Sequence, residues 1–283
     1  MKTIEFGKKT YKVAEHWGEL TTDQYRQLIM CHRLEATGSF ETLDYQAAAC
    51  QIWLGMSPKL WANLVLAPWQ WGQLRQQFGW LFTTKPTGKP PIDSFVHQGV
   101  NYHLPADEFA DTTAVELAMA NMAYVAFAHP DEPETTALDR LVATLCRPRR
   151  ADWRKFQKSV DWNGDVREVY TEQRMMDRAK ALLGLDLNLK LLVLDYFERM
   201  NEQFLSSYGE LFGGTGAQRE PRYGDGRGWL MLLKNVAKEG HFGDFDKVCS
   251  TPAHLLFATL LDDLLDNQEQ ADRAPKSPTH EDY

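Results

Sequence analysis

Residues Tyr11–Leu28 read YKVAEHWGELTTDQYRQL. The first residues alternate polar and apolar, as the end of a short strand does. A lone tryptophan, Trp17, follows, then Leu20 and the pair Thr21-Thr22. Either threonine can cap a helix by accepting from a backbone N–H in the first turn, and Asp23 then lies near the positive end of the helix dipole. Tyr25, Leu28, Ile29 and His32 recur at helical spacing. Trp17 and Leu20 stand ahead of the cap, where an apolar side chain can staple onto the first turn. Gly38 is the expected stop.

Upstream, residues 3–13 (TIEFGKKTYKV) alternate on both sides of Gly7-Lys8-Lys9 and predict a β-hairpin. So short a strand pair is marginal alone and must rest on the helix that follows. A degraded copy of the whole pattern, SFVHQGVNYHLPADEFADTTAVELAM, begins at Ser94, about ninety residues later. Tyr102 stands where Tyr11 was and Leu104 where Val13 was. After one inserted residue, Phe109 replaces Trp17 and Thr112-Thr113 corresponds to Leu20-Thr21. The expectation is two related hairpin–helix units, residues 3–34 and 94–128, with chance similarity as the alternative.

Between them, Glu41–Leu54 reads as a helix with Leu43, Ala47, Cys50 and Leu54 on its inner face. Ser57-Pro58 and Pro68 open two more, the second reaching Phe82. Trp61, Trp69, Trp71 and Trp80 crowd this region. Ring stacking on bases or sugars is one reading. Core packing plus a protein contact patch is the plainer one, since only Arg75 interleaves. The run TTKPTGKPPIDS over 83–94 reads as a linker.

Beyond the second unit, helices are expected over 137–146, 165–183, 187–211, 229–238 and 251–265, the last two as an antiparallel pair. The glycine-rich stretch 213–228 lacks phosphate-loop spacing. From Asn267 the chain turns polar and proline-containing, which predicts a disordered tail. The reading is a mainly α fold with small β-hairpins (α+β), a helical bundle with an internal duplication. Its divisions are a hairpin-plus-helix unit over 1–83, a second over 94–147, a helical domain over 160–266 and a tail over 267–283.

Composition narrows function. The chain has 283 residues, 43% hydrophobic, with a net charge of −8, which argues against bulk binding to nucleic acid or an anionic membrane. Cys31, Cys50, Cys146 and Cys249 form no CxxC pair and each lies in an apolar stretch, so buried reduced thiols are expected. With no signal peptide and no long apolar span, the expected compartment is cytoplasmic. No nucleophile-elbow, zincin, Walker or dinucleotide motif occurs, and no catalytic residue or cofactor is assigned. His241, Asp244 and Asp246 come nearest to a metal cluster, but at no familiar ligand spacing, so no metal is assigned. One segment departs from the acidic balance. RPRRADWRKFQK places Arg147, Arg149, Arg150, Arg154, Lys155 and Lys158 around Trp153 and Phe156. It reads as a solvated charged loop or, alternatively, as a nucleic-acid patch.

Val13, Trp17, Glu19, Leu20, Thr21, Gln24, Tyr25 and Leu28 carry a resemblance to the opening of small phage tail-assembly proteins, in which a Val-Pro-x-x-Trp-x-Glu-Leu-Thr segment leads into a helix. Ala14 replaces the usual proline. The piece Trp229–Leu265 also resembles the helical end of such proteins. The resemblance covers about a quarter of the chain. It implies a non-enzymatic role, as a chaperone for the tape-measure protein or as a minor tail component, in the bacterial host cytoplasm or associated with the virion. Partner contacts are expected from Trp17, Tyr25, Trp69, Trp71, Phe197, Trp229, Leu256 and Leu260. They would bind a tape-measure or other tail protein, or a second copy of the chain, with no membrane involved. A nucleic-acid-binding module using 147–158 is the alternative function.

Overall fold

Two antiparallel hairpins begin the two repeats in the computed structural model, which describes residues 1–6, 9–160, 162–212 and 225–273. Strands β1 (Lys2–Phe6) and β2 (Lys9–Val13) pair with Ile4 opposite Tyr11. Part of the expected Gly7-Lys8-Lys9 turn lies outside the described residues. A 3-10 turn (Trp17–Glu19) then presents Trp17 to the core and leads into α1 (Thr22–Ala36). Thr21 is the cap. Its hydroxyl accepts from Gln24 N–H at 3.3 Å, and Gln24 Oε1 accepts from Thr21 N–H at 3.1 Å, so two orphan donors are satisfied at once. Gly38, at φ 69°, turns the chain after the helix. Next come α2 (Thr42–Trp53), α3 (Pro58–Ala62), α4 (Pro68–Phe78) and α5 (Trp80–Thr83).

The second unit repeats the order. Strands β3 (Ser94–His97) and β4 (Val100–His103) pair with Phe95 opposite Tyr102. A 3-10 turn (Asp107–Phe109) buries Phe109, and α6 (Ala114–Phe127) and α7 (Thr135–Leu145) follow. Glu116 accepts from Thr113 N–H at 3.4 Å, the counterpart of Gln24 and Thr21. The buried positions of α1 (Tyr25, Leu28, Ile29, Cys31) match those of α6 (Leu117, Ala120, Asn121, Ala123) at one constant offset. The same offset carries Tyr45, Ala49, Cys50 and Trp53 of α2 onto Ala137, Leu141, Val142 and Leu145 of α7. The correspondence in burial thus extends through a second helix in each unit. The expected inner face of α2 is corrected in part: Cys50 and Leu54 are buried, but Leu43 is 69% exposed and Ala47 only half-buried, and Tyr45, Ala49 and Trp53 complete the face. Trp53 fixes that face by donating its indole N–H to Ala14 O at 2.8 Å.

After α7 the chain adds β5 (Arg147–Pro148) to β4, then forms α8 (Trp153–Phe156), α9 (Glu172–Ala181) and α10 (Leu187–Ser207). A helix expected over 165–183 therefore starts late. Residues Asp165 and Arg167 are buried while Val166 and Glu168 are less so, a period of two. The backbone runs extended beside 148–150, with Glu168 N–H donating to Pro148 O and Arg150 N–H to Val166 O. The last described elements are α11 (Gly209–Phe212), α12 (Gly228–Glu239), α13 (Phe245–Ser250) and α14 (Ala253–Arg273). The expected α12–α14 pair is not joined by a simple turn, although Trp229 of α12 meets Phe257 of α14 at 5.8 Å. A short helix capped by Asp244 intervenes, and α12 packs on α13 and α6. The tail expected from Asn267 is helical through Arg273, and the residues beyond lie outside those described, as do 213–224 of the glycine-rich stretch.

Helix α10 runs through the middle, against α1 of the first unit and α7 of the second. Buried apolar side chains from Val13 to Phe257 form one cluster, so the segments 1–83, 94–147 and 160–266 share a core. Cys31, Cys50 and Cys146 are buried in it, and burial pushes the Cys50 and Cys146 thiols up to about 12, while Cys249 is only half-buried.

Trp17 sits edge-on to Tyr25 and Trp80, with centroids 5.6 and 5.9 Å away, and donates to Thr84 O at 3.0 Å. Phe109 holds the same place against Phe197 and Phe204. Trp17→Ala and Phe109→Ala are each expected to destabilise by about 3–5 kcal/mol in urea unfolding, because each leaves a cavity at a hairpin–helix junction. His32, packed between Trp17 and Tyr45, has its pKa lowered by burial. The unfolded chain therefore takes up a proton near the ordinary value of about 6.5 that the folded chain refuses. Stability should fall as pH drops below that value, and His32→Gln should flatten this part of a melting-temperature-versus-pH profile.

Candidate functional site

The residues expected to bind a partner do not converge. Trp17, Tyr25, Phe197 and Leu256 are buried in the core and unavailable to a second molecule. Burial follows from their neighbours: Tyr25 accepts from Arg199 at 3.1 Å, Phe197 meets Phe109 and Tyr124, and Leu256 is on the buried face of α14 beside Phe257. Trp71 is half-buried against Trp61 and Phe78. Trp229 is half-buried between Phe212 and Phe257, and Leu260 follows on α14. Trp69 alone of the set is well exposed, at 65%. It borders a shallow groove with Ile4, Val65 and a run of glutamines from α4.

The basic segment also divides. Arg147, expected at a phosphate, is fully buried. It contacts Glu116 at 2.9 Å and Asp165 at 2.7 Å, and donates to Glu168 O. Arg167 joins the same cluster, 2.7 Å from Asp165 and 3.0 Å from Asp111. Burial raises the pKa of Glu116 and of Asp111, with the arginines opposing it. Burial likewise disfavours charge on Arg167, but Asp111, Asp165 and Glu116 outweigh it and raise its pKa. The rest of the segment stays near the surface. Arg149 lies over Trp153 at 4.9 Å, Arg150 over Phe156 at 3.7 Å while paired with Asp152, and Arg154 beside Trp153 at 5.6 Å. Lys155 and Lys158 are exposed.

The most developed surface feature is an apolar groove of about 690 Å³ between the two repeats. Met30 and Leu34 of α1 form one wall and Leu138 of α7 the other, with Leu187 and Leu191 of α10 between them. Phe127, at the end of α6, and Leu183, in the turn before α10, extend it. Leu183 and Leu187 are 58% and 52% exposed and adjoin the other apolar residues of the groove, which makes a contiguous apolar patch. Ion pairs hold the elements that frame it: Arg33 of α1 with Glu198 of α10, and Lys190 of α10 with Asp139 of α7 at 2.5 Å. Helical periodicity over 187–211 is compatible with an apolar Leu191, but that Leu191 lines an open groove with residues of α1 and α7 follows from tertiary packing. Asp244, weighed as a metal ligand, accepts from Lys247 N–H as a helix cap. No helix among the described residues is long and apolar enough to cross a membrane.

The buried cluster generates a prediction. Arg167→Met would leave Asp165 and Asp111 facing a neutral side chain in a desolvated site, so it should destabilise by about 3–5 kcal/mol in chemical unfolding. Arg154→Ala, at the surface, should change stability by less than about 0.5 kcal/mol. Comparison with protein-family models, with curated proteins and with solved structures found no match to this chain.

Proposed function

We propose that this chain is a non-enzymatic assembly protein that holds an amphipathic helix of a partner. The observation that carries this reading is the groove between α1, α7 and α10. Its walls are helices, its lining is mainly apolar, and Leu183 and Leu187 on it are more than half exposed. That is the arrangement by which helix-in-groove binders accept apolar anchors spaced three and four residues apart. Together with the resemblance of Val13–Leu28 to phage tail-assembly proteins, it supports a role in phage tail assembly in the bacterial host cytoplasm. The protein would act as a chaperone covering helices of the tape-measure protein before the tail tube polymerises, or as a minor tail component. Long, apolar-striped helices need such cover until their own partners arrive.

Co-expression with a phage tape-measure protein, followed by pull-down, tests the reading. The client should become soluble and co-purify. Leu183→Gln combined with Leu187→Gln should weaken capture about tenfold or more, since two half-exposed anchors lose their apolar contact. The melting temperature of the free protein should be unchanged within error. A client that stays insoluble, or capture indifferent to both substitutions, would remove the groove from this role.

A further inference from the structure

A second cavity, of about 320 Å³, lies at the start of α6 and is walled by Thr113, Glu116, Arg147, Asp165, Arg167 and Tyr170. Nothing in the helix-binding reading uses it. Three buried atoms of these residues have no hydrogen-bond partner among the described residues: Arg147 Nε, Tyr170 Oη and Thr113 Oγ1. Buried polar groups are normally paired, and an unpaired one carries its full desolvation cost. Arg147 Nε can only donate, and both hydroxyls can donate. The buried carboxylates on the wall are already engaged: Glu116 by Arg147 at 2.9 Å, and Asp165 by Arg147 and by Arg167, both at 2.7 Å. These three donors are therefore left over. They sit beside the N-terminus of a 14-residue helix, whose dipole favours negative charge. Arg150 also borders the cavity. Asp246 borders it too, but is exposed, where solvent and salt weaken its repulsion.

We propose that this cavity binds a small oxyanion, the carboxylate or phosphate group of a small molecule, which accepts from Tyr170, Arg147 and Thr113. The side chains that hold it come from four places in the chain: the cap of α6, β5, the extended stretch 165–170 and, at the rim, the start of α8. The buried ion pairs position Arg147, leaving its Nε for the ligand.

Titration of the full-length protein with inorganic phosphate and, separately, with acetate, at constant ionic strength set by chloride, tests the proposal by calorimetry. One of the two anions should bind saturably at a single site. Tyr170→Phe removes one oxygen and keeps the ring, and should weaken binding about fivefold to tenfold. Thr113→Val should act in the same direction, and serves if the first variant melts early. Absence of saturable binding by either anion would overturn the proposal. So would affinity that survives both substitutions, or that is lost in Arg154→Gln alone, which would put the anion on the exposed basic segment. The helix-capture experiment above is independent of every one of these outcomes.

Discussion

Helix α10 sets the problem that the rest of the chain solves. Leu189, Leu192, Val193, Leu194, Tyr196, Phe197, Met200 and Phe204 are all buried, on more than one side of the helix. A helix apolar around most of its circumference cannot rest on one neighbour, because a single packed face leaves the remainder in water. Here each repeat supplies a wall, α1 from the first and α7 from the second. Polar contacts fix how far each approaches. Arg199 reaches Tyr25 in the first unit, and Tyr196 donates to Asp107 in the second at 2.9 Å. Asn121 of α6 and Asn201 of α10 exchange hydrogen bonds at 3.2 and 3.0 Å in the buried interior. A reciprocal amide pair of this kind is satisfied only in one register, so it selects alignment as well as contributing energy.

The parts legible in the sequence are those with a short-range physical cause. Threonine followed three residues later by glutamine or glutamate marks a helix start, and both Thr21 and Thr113 are found there. Proline after serine marks another, at Ser57-Pro58. Alternation over 3–13 gives a hairpin and the aromatic after each hairpin gives its anchor, since a marginal strand pair needs an apolar contact to rest on. The full extent of the repeat was less visible. Between α2 and α7 the matching positions hold different apolar residues, Trp53 against Leu145 for one, so burial matches where identity does not.

What was not legible depends on contacts distant in the chain. Asp111, Glu116, Arg147, Asp165 and Arg167 form one cluster, yet no two of them make a motif. In sequence, Arg147 belongs to a basic run; in the fold it is the most deeply buried member of that run. Charge density along a chain says nothing of depth, and depth decides whether an arginine meets phosphate or carboxylate. The same limit explains the partner residues. Size and apolarity mark Trp17, Tyr25, Phe197 and Leu256 as contact candidates in the sequence, and the same properties place them in the core.

The two repeats have diverged in how they close the space behind the second helix. In the first, Trp53, Phe78 and Phe82 fill it with rings, Phe78 lying 5.8 Å from Trp53 and 5.6 Å from Phe82. In the second, β5 and the stretch from Asp165 bring in arginines and carboxylates, and Glu108 and Phe109 take up φ of 54° and 59° in the 3-10 turn. Left-handed backbone at two consecutive non-glycine residues is costly and persists only where surrounding contacts hold it. Here His254 contacts Glu108 O, and Phe109 is locked against Phe197 and Phe204. Replacing buried ion pairs by apolar residues is often neutral or favourable for stability, so the charged solution is not explained by stability alone. It does accomplish what rings cannot. It leaves unpaired donors beside a cavity, whereas in the first unit Trp53, Phe78 and Phe82 pack on one another as rings. The second unit thus keeps a buried polar interior beside α6, where the first unit keeps rings beside α2.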